Sequence, residues 1–373
     1  MTEQPQVTPA EQRYAAELEF LAAYDDGPRP PGWRLTPSAV VTFVLGGRTL
    51  ELPRPHPVAP PTMEISRKFV GDRSLVERAV VTLAGDRGLL LVGEPGTAKS
   101  MLSELLAAAV SGSSALTVQG TAGTTEEHLR YGWNYGLLLA KGPTEEALVP
   151  SPVLTAMRRG TVVRIEEVTR CLPEVQDALV SLLSDRRMSV PELGLNISST
   201  EGFTVIATAN LRDRGVSEMS AALKRRFNFE TVPPIGDLES EVDLVRRQAG
   251  AALARHGQDF QVDDLVLRAL VTAFRDLRSG QAVEGWQVER PATVMSTAEA
   301  VGVATSMGLQ RTYLSIEDET SLLPGYLLGT VHKDDPEDRG RLLAYWDTAV
   351  RRRAETDALP WRKLHELRHV LEA

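Results

Sequence analysis

A chain of 373 residues, 42% hydrophobic and 24% charged, is long enough for two domains, each with a proper core. The formal net charge of −9, with Lys and Arg scattered along the chain, argues against tracking nucleic-acid phosphates. The single cysteine, Cys171, excludes an internal disulfide framework, and no apolar run approaches the roughly 20 residues that span a bilayer. The opening MTEQPQVTPAEQRYAAE carries acids and no apolar core, so it does not read as a secretory signal. The expected setting is a reducing cytoplasm. Plentiful Ala, with Arg favoured over Lys, suggests a GC-rich bacterial genome.

Residues 1–62 read as an N-terminal extension: an amphipathic helix near 10–24, the breaker DDGPRPPG, a strand-like run AVVTFVLG, and PRPHPVAPP as an extended linker. Over 63–236 short β-branched runs alternate with helical stretches, the pattern of an α/β domain with a parallel sheet. Strands are expected at 88–93, 115–119, 161–167, 203–210 and 227–232, and helices at 99–110, 150–159, 173–185 and 218–225. Residues 237–332 read as an all-α domain, with helices at 238–256, 263–279, 290–307 and 315–332. The remainder, 333–373, reads as a helical extension broken at Pro336 and Pro360.

The chemistry centres on VGEPGTAKSM at 92–101, which nearly spells GxxxxGK[ST], with Ala98 where the second glycine belongs. A triphosphate needs inward backbone amides at a helix N-terminus, a lysine for the β and γ phosphates and a hydroxyl on magnesium. The loop supplies Gly93, Gly96, Thr97, Ala98, Lys99, Ser100 and Met101, between the apolar strand LLLV and the helix SMLSELLAAAV. Ala98 is tolerable if its backbone stays in a region open to residues with a Cβ. Downstream, VVRIEEV ends a strand in Glu166, to hold the metal ion, and Glu167, to polarise the attacking water; the first acid of such pairs is usually Asp. Arg164, inside this strand, reads as a salt bridge or a subunit contact. FTVIATAN ends in Asn210, placed to sit beside that water, although strand-end Asn is more often a turn residue. ALKRRF offers Arg225 and Arg226 at a helix end, where a cation reaches the nucleotide of an adjacent subunit, Arg226 being preferred. Further on, VERPATV is expected to open a helix with Arg290 and Pro291 in its first turn, and Arg290 would fold back on the γ phosphate.

In this order, GEPGTAKS, VVRIEEV, VIATAN, ALKRRF and ERPATV resemble the AAA+ ATPases, and specifically the MoxR family of the helix-2 insert branch. That family often carries GxPGxAK[ST], so Ala98 matches its habit. FVGDRSLVERAV is similar to the entry bordering adenine, which nominates Phe69, Val70 and Gly71, and 122–149 would be the helix-2 insert. VTRCLPEVQDALVSLLSDRRMSV is similar to a helix leading into a short hairpin. The resemblance covers about 64–332. It implies a P-loop core with sheet order 5-1-4-3-2, an all-α lid, ATP and Mg2+ as ligands, Ser100 and Glu166 at the metal, and a hexameric ring. It further implies remodelling of a client protein with a von Willebrand factor A domain partner. A nucleotide-gated scaffold with weak hydrolysis and a metal-chelatase-like motor subunit remain alternatives. A DNA translocase ranks below them, because RRMSVPELGLNIS has Arg186 and Arg187 at its base and no cation at its tip.

Overall fold

Local caps decide the first elements. α1 (Ala10–Arg13) and α2 (Ala15–Tyr24) cover the expected N-terminal helix. α3 (Pro37–Leu45) follows Thr36, whose hydroxyl accepts the Ala39 N–H at 3.1 Å; Pro37 occupies the first turn and Gly46, at φ 54°, ends the helix. The strand expected over AVVTFVLG is therefore corrected to a helix, buried along nearly its whole length. β1 (Arg48–Glu51) and β2 (Thr62–Ile65) pair antiparallel, so the proline-rich tract joins a hairpin.

The computed structural model describes residues 8–210, 217–256, 262–316, 318–333, 335–356 and 359–372. The chain divides into two units, Met1–Glu94 with Ala98–Pro233, and Pro234–Ala373 with Pro95–Thr97. In the first, α4 (Arg73–Leu83) is capped by Asp72 and precedes β3 (Gly88–Val92), α5 (Lys99–Ser111) and β4 (Thr117–Gln119). An insert follows: α6 (Glu126–Leu129), β5 (Tyr131–Trp133), α7 (Tyr135–Lys141) and β6 (Leu148–Pro150), with β5 and β6 antiparallel. Then come α8 (Pro152–Arg159), β7 (Val162–Glu166), α9 (Pro173–Ser184) and the hairpin β8 (Arg187–Val190)–β9 (Leu195–Ser198). β10 (Thr204–Ala209), α10 (Ala221–Lys224) and β11 (Phe227–Thr231) complete the unit.

The central sheet runs β11-β3-β10-β7-β4, all parallel, which is the order 5-1-4-3-2. β3 and β10 are buried at every residue, as central strands covered on both faces must be. Alternation along β3 sends Leu89 and Leu91 to one core, shared with Leu18, Phe20 and Phe43, and Leu90 and Val92 to the other, shared with Ile165 and Leu179. The described part of the N-terminal extension is thus built into the first core of the α/β unit.

The second unit is helical: α11 (Leu238–Ala254), α12 (Asp264–Ser279), α13 (Thr297–Leu314), α14 (Leu323–Val331), α15 (Asp338–Tyr345), α16 (Arg351–Glu355) and α17 (Trp361–Glu366). Asp237, Asp263 and Ser296 cap the three longest helices. Tyr345, Trp346, Leu364 and Leu371 share one core with Val245, Phe274 and Met307, so the described part of 333–373 completes this unit. No helix among the described residues is long and apolar enough to cross a membrane.

Candidate nucleotide site

The loop between β3 and α5 turns through two left-handed residues, Gly96 at φ 75° and Ala98 at φ 65°. Glycine visits this region freely; for alanine the Cβ crowds the following carbonyl at a cost of about 1 kcal/mol. Ala98 thus stands at the edge of the small left-handed region that residues with a Cβ can enter, and the site carries backbone strain. Ala98 precedes the first residue of α5, Lys99, and its methyl side chain offers that helix no cap; a helix N-terminus is a place where backbone amides can face an anion. The Lys99 ammonium, buried by its surroundings, donates to the carbonyls of Gly93 at 3.1 Å and Glu94 at 2.7 Å. Ser100 is exposed, and Thr97, Ala98 and Met101 are half-buried.

Glu166, at the end of β7, is 5% exposed and accepts four hydrogen bonds. Oε2 takes the hydroxyls of Ser100 at 2.7 Å and Thr208 at 2.8 Å; Oε1 takes Ser103 at 2.5 Å and the Arg164 guanidinium at 2.7 Å. Burial alone would raise its pKa, but the Ser103 hydroxyl, the Arg164 charge and the Ser100 and Thr208 hydroxyls outweigh burial and hold the carboxyl below its usual range. One hydroxyl and one carboxylate oxygen suit magnesium, which takes few protein oxygens and completes its shell with water and phosphate. The residues present therefore fit that ion.

Glu167 turns out of the strand at φ 55°. Its N–H bonds the Thr208 hydroxyl at 2.9 Å, so one threonine links both acids, and its carboxylate pairs with Arg170. Gly120, whose N–H bonds the Glu166 carbonyl at 2.7 Å, lies too close to the backbone of both acids to admit a Cβ. Asn210 is 7% exposed and its Oδ1 has no hydrogen-bond partner among the described residues. Buried polar atoms are seldom left so, and each one calls for a reason, an ordered water, an ion or a catalytic role among them.

The other predicted residues lie as follows. Phe69 is buried, its N–H on the Val44 carbonyl at 3.1 Å; Val70 is half-buried; Gly71 is exposed beside the Phe69 ring. Arg226 is tied down within its own unit, to the Ser184 hydroxyl at 2.5 Å and the Ala222 carbonyl at 2.7 Å, whereas Arg225 is exposed and, among the described residues, its side chain bonds only the Ala221 carbonyl at 3.2 Å. Arg290 requires a correction: neither it nor Pro291 lies in a helical turn. The helix starts at Thr297, behind a capping box in which Ser296 and Glu299 satisfy each other's backbone N–H. Arg290 is exposed in the irregular run before it.

Sequence reasoning missed Ser103 and Thr208 and gave Arg164 no defined partner. Two spacings carried the signal: Arg164 and Glu166 share a strand face, and Ser103 stands one helical turn beyond Ser100.

A parallel sheet of this order, a lysine-bearing phosphate loop after β3 and a hydroxyl–carboxylate pair at the end of β7 define a P-loop ATPase of the AAA+ class. Residues 88–227 match the AAA domain (dynein-related subfamily), and 239–372 match the YehL-like AAA+ ATPase C-terminal domain. The chain is 47% identical over 367 residues to YehL of Escherichia coli K12, covering 97% of each chain. It is 28% identical over 242 residues to SH1500 of Staphylococcus haemolyticus, covering 64% of this chain and 86% of that one. Among solved structures it is similar to NtrX from Brucella abortus in complex with ATP, at 13% identity and a TM-score of 0.49 over 82% of this chain and 70% of that one. The chain belongs to the YehL-like AAA+ ATPases.

Proposed function

We propose that this chain hydrolyses ATP as a MoxR-type AAA+ protein, assembles as a ring, and spends the cycle on remodelling or maturing a client protein complex together with a von Willebrand factor A domain partner. One observation carries the hydrolytic part: the Ser100 hydroxyl and Glu166 carboxylate meet at 2.7 Å at the mouth of the loop. Magnesium held there would offset phosphate charge and orient the nucleotide. In this reading Lys99 exchanges the Gly93 and Glu94 carbonyls for phosphate oxygens. Glu167 polarises the attacking water, and Asn210 offers it the unpartnered Oδ1. Arg226 serves a neighbouring subunit after leaving Ser184, with Arg225, which has less to give up, as the alternative finger. The MoxR assignment is supported by the GEPGTAKS loop and by the strand–helix–strand insert at 131–150. The scaffold reading retains one observation in its favour, since both Glu166 oxygens are already occupied by protein donors.

Turnover by the wild type, Lys99→Ala and Glu167→Gln decides between them. We expect Lys99→Ala to lose nucleotide binding, and Glu167→Gln to keep it while hydrolysis falls by about 100-fold or more, the usual share of a general base. A wild type no faster than either variant leaves only the scaffold. Sedimentation with ATP tests the ring, and material co-eluting with Glu167→Gln from the native host identifies the client.

A further inference from the structure

Arg164 is the one charged residue inside β7 before its terminal acid, and its side chain is 12% exposed. A buried guanidinium is costly unless its donors are matched, and here each nitrogen has a partner. Nε donates to the Ser103 hydroxyl at 2.9 Å. Nη2 donates to Glu166 Oε1 at 2.7 Å and to the Ser100 carbonyl at 3.1 Å. Nη1 reaches the Ser114 carbonyl at 3.3 Å and the Thr117 hydroxyl at 3.4 Å. The guanidinium thus spans β7, the first turn of α5 and the approach to β4. It divides the carboxylate in two: Oε1 faces Arg164 and Ser103, and Oε2 faces Ser100 and Thr208.

From this division we infer that Arg164 is a positioning residue for the divalent cation of the nucleotide site: it clamps Oε1 of Glu166 so that Oε2 stands beside the Ser100 hydroxyl. The inference rests on the ATPase reading proposed above. A glutamate has one more rotatable bond than an aspartate, and a carboxylate free to turn about it would meet the cation in several orientations. The Arg164 fork removes that freedom. It also offsets the buried charge, so the cluster keeps its shape before a cation arrives. A lysine would keep the charge but, as a single head, could not hold Glu166, Ser103 and the Ser100 carbonyl together.

The test uses the full chain, a fluorescent ATP analogue and Mg2+ added back after chelation. Partners that orient a metal ligand are worth about 10- to 100-fold in metal affinity. We expect Arg164→Met to raise the half-saturating Mg2+ concentration for analogue binding by about tenfold, and Arg164→Lys by several-fold. Binding measured without Mg2+ should stay within about twofold of the wild type, a split that general damage to the fold would not produce. Thermal melts read the folding of each variant, and Arg164→Lys keeps the test open if Arg164→Met does not fold. In a Glu166→Asp background the carboxylate withdraws by about 1.5 Å, one carbon–carbon bond, and Arg164→Lys should then change the Mg2+ requirement less than twofold. An unchanged Mg2+ requirement in the Arg164 variants overturns the inference, as does an equal effect in the Glu166→Asp background. A wild type that binds no analogue at any Mg2+ concentration sinks the ATPase reading as well, so the two failures are distinguishable.

Discussion

Glu166 in the first unit and Asp276 in the second are both buried carboxylates paired with an arginine that is largely covered, and they differ in what surrounds them. Glu166 shares Arg164 with three hydroxyls and is held ionised below its usual range. Asp276 meets Arg353 at 2.7 Å and accepts the Tyr345 hydroxyl at 2.9 Å, and burial pushes its carboxyl up in spite of Arg353. Arg353 is spent entirely inside its cluster: it binds Glu284 through two nitrogens at 2.8 and 2.5 Å, donates to Tyr345 at 2.9 Å, and lies against the rings of Trp286 and Trp361. The Glu166 cluster instead borders Ala98 and Glu167, both left-handed, and shares Thr208 with Glu167. Burial and ion pairing therefore do not nominate a site. Backbone strain beside exchangeable hydroxyl bonds does.

Arg353→Met is the strongest way to break this comparison. It leaves Asp276 and Glu284 without their cation, and removing one partner of a buried pair costs about 3–5 kcal/mol. We expect a large loss in the urea midpoint of the second unit with no change in ATP-analogue affinity. An affinity loss in variants that remain folded would make the second cluster part of the nucleotide site and erase the distinction.

β3 and β10 were legible as short, mostly apolar runs closed by a polar or turn residue, whereas β4 and β11, TVQ and FNFET, showed themselves by β-branched and aromatic residues between turn signals. The run at 37–45 misled because Val and Thr favour strands only weakly, and its capping signals, Thr36, Pro37 and Gly46, outweighed them. Arg290 misled in the opposite way. Pro291 imitated a first-turn proline, while the working start signal, Ser296 with Glu299, lay further along. In the site, Lys99, Ser100 and Glu166 could be read from motif spacing. The Arg164–Ser103–Thr208 shell left only local hints, Arg164 two residues before Glu166 and Ser103 three after Ser100; that these pieces meet could not be read, because they lie over 40 positions apart and the parallel sheet brings them together.

Asp338 sharpens the closed side of the comparison. It accepts the N–H groups of Ala292 at 2.8 Å and Thr293 at 3.1 Å and pairs with Arg341, fixing the irregular run where a helix was expected. Burial opposes its charge, but those amides and Arg341 prevail and hold its carboxyl below the usual range. Because the folded value is the lower one, the stabilisation is complete above the unfolded value of about 3.9 and is lost as pH falls through the folded one. Asp338→Asn should cost about 2 kcal/mol near neutral pH. Below about pH 4 the gap to the wild type should narrow. A gap that widens under acid would contradict the assignment.

The smallest effect probes the strained side. At φ 65° the Ala98 methyl opposes the conformation the loop must hold, so Ala98→Gly relieves about 1 kcal/mol in the folded state, part of it returned through the greater freedom of glycine in the unfolded chain. Gly96, at φ 75° two residues earlier, already has that freedom. If the strain is only tolerated, the variant melts slightly higher and binds ATP as before. If the strain belongs to the working of the loop, the variant melts higher while ATP turnover falls, because a relaxed loop orders its amides less firmly against the phosphates. We expect the second outcome, since the same left-handed turn recurs at Glu167 across the site. Melting temperature and turnover measured on one preparation separate the two.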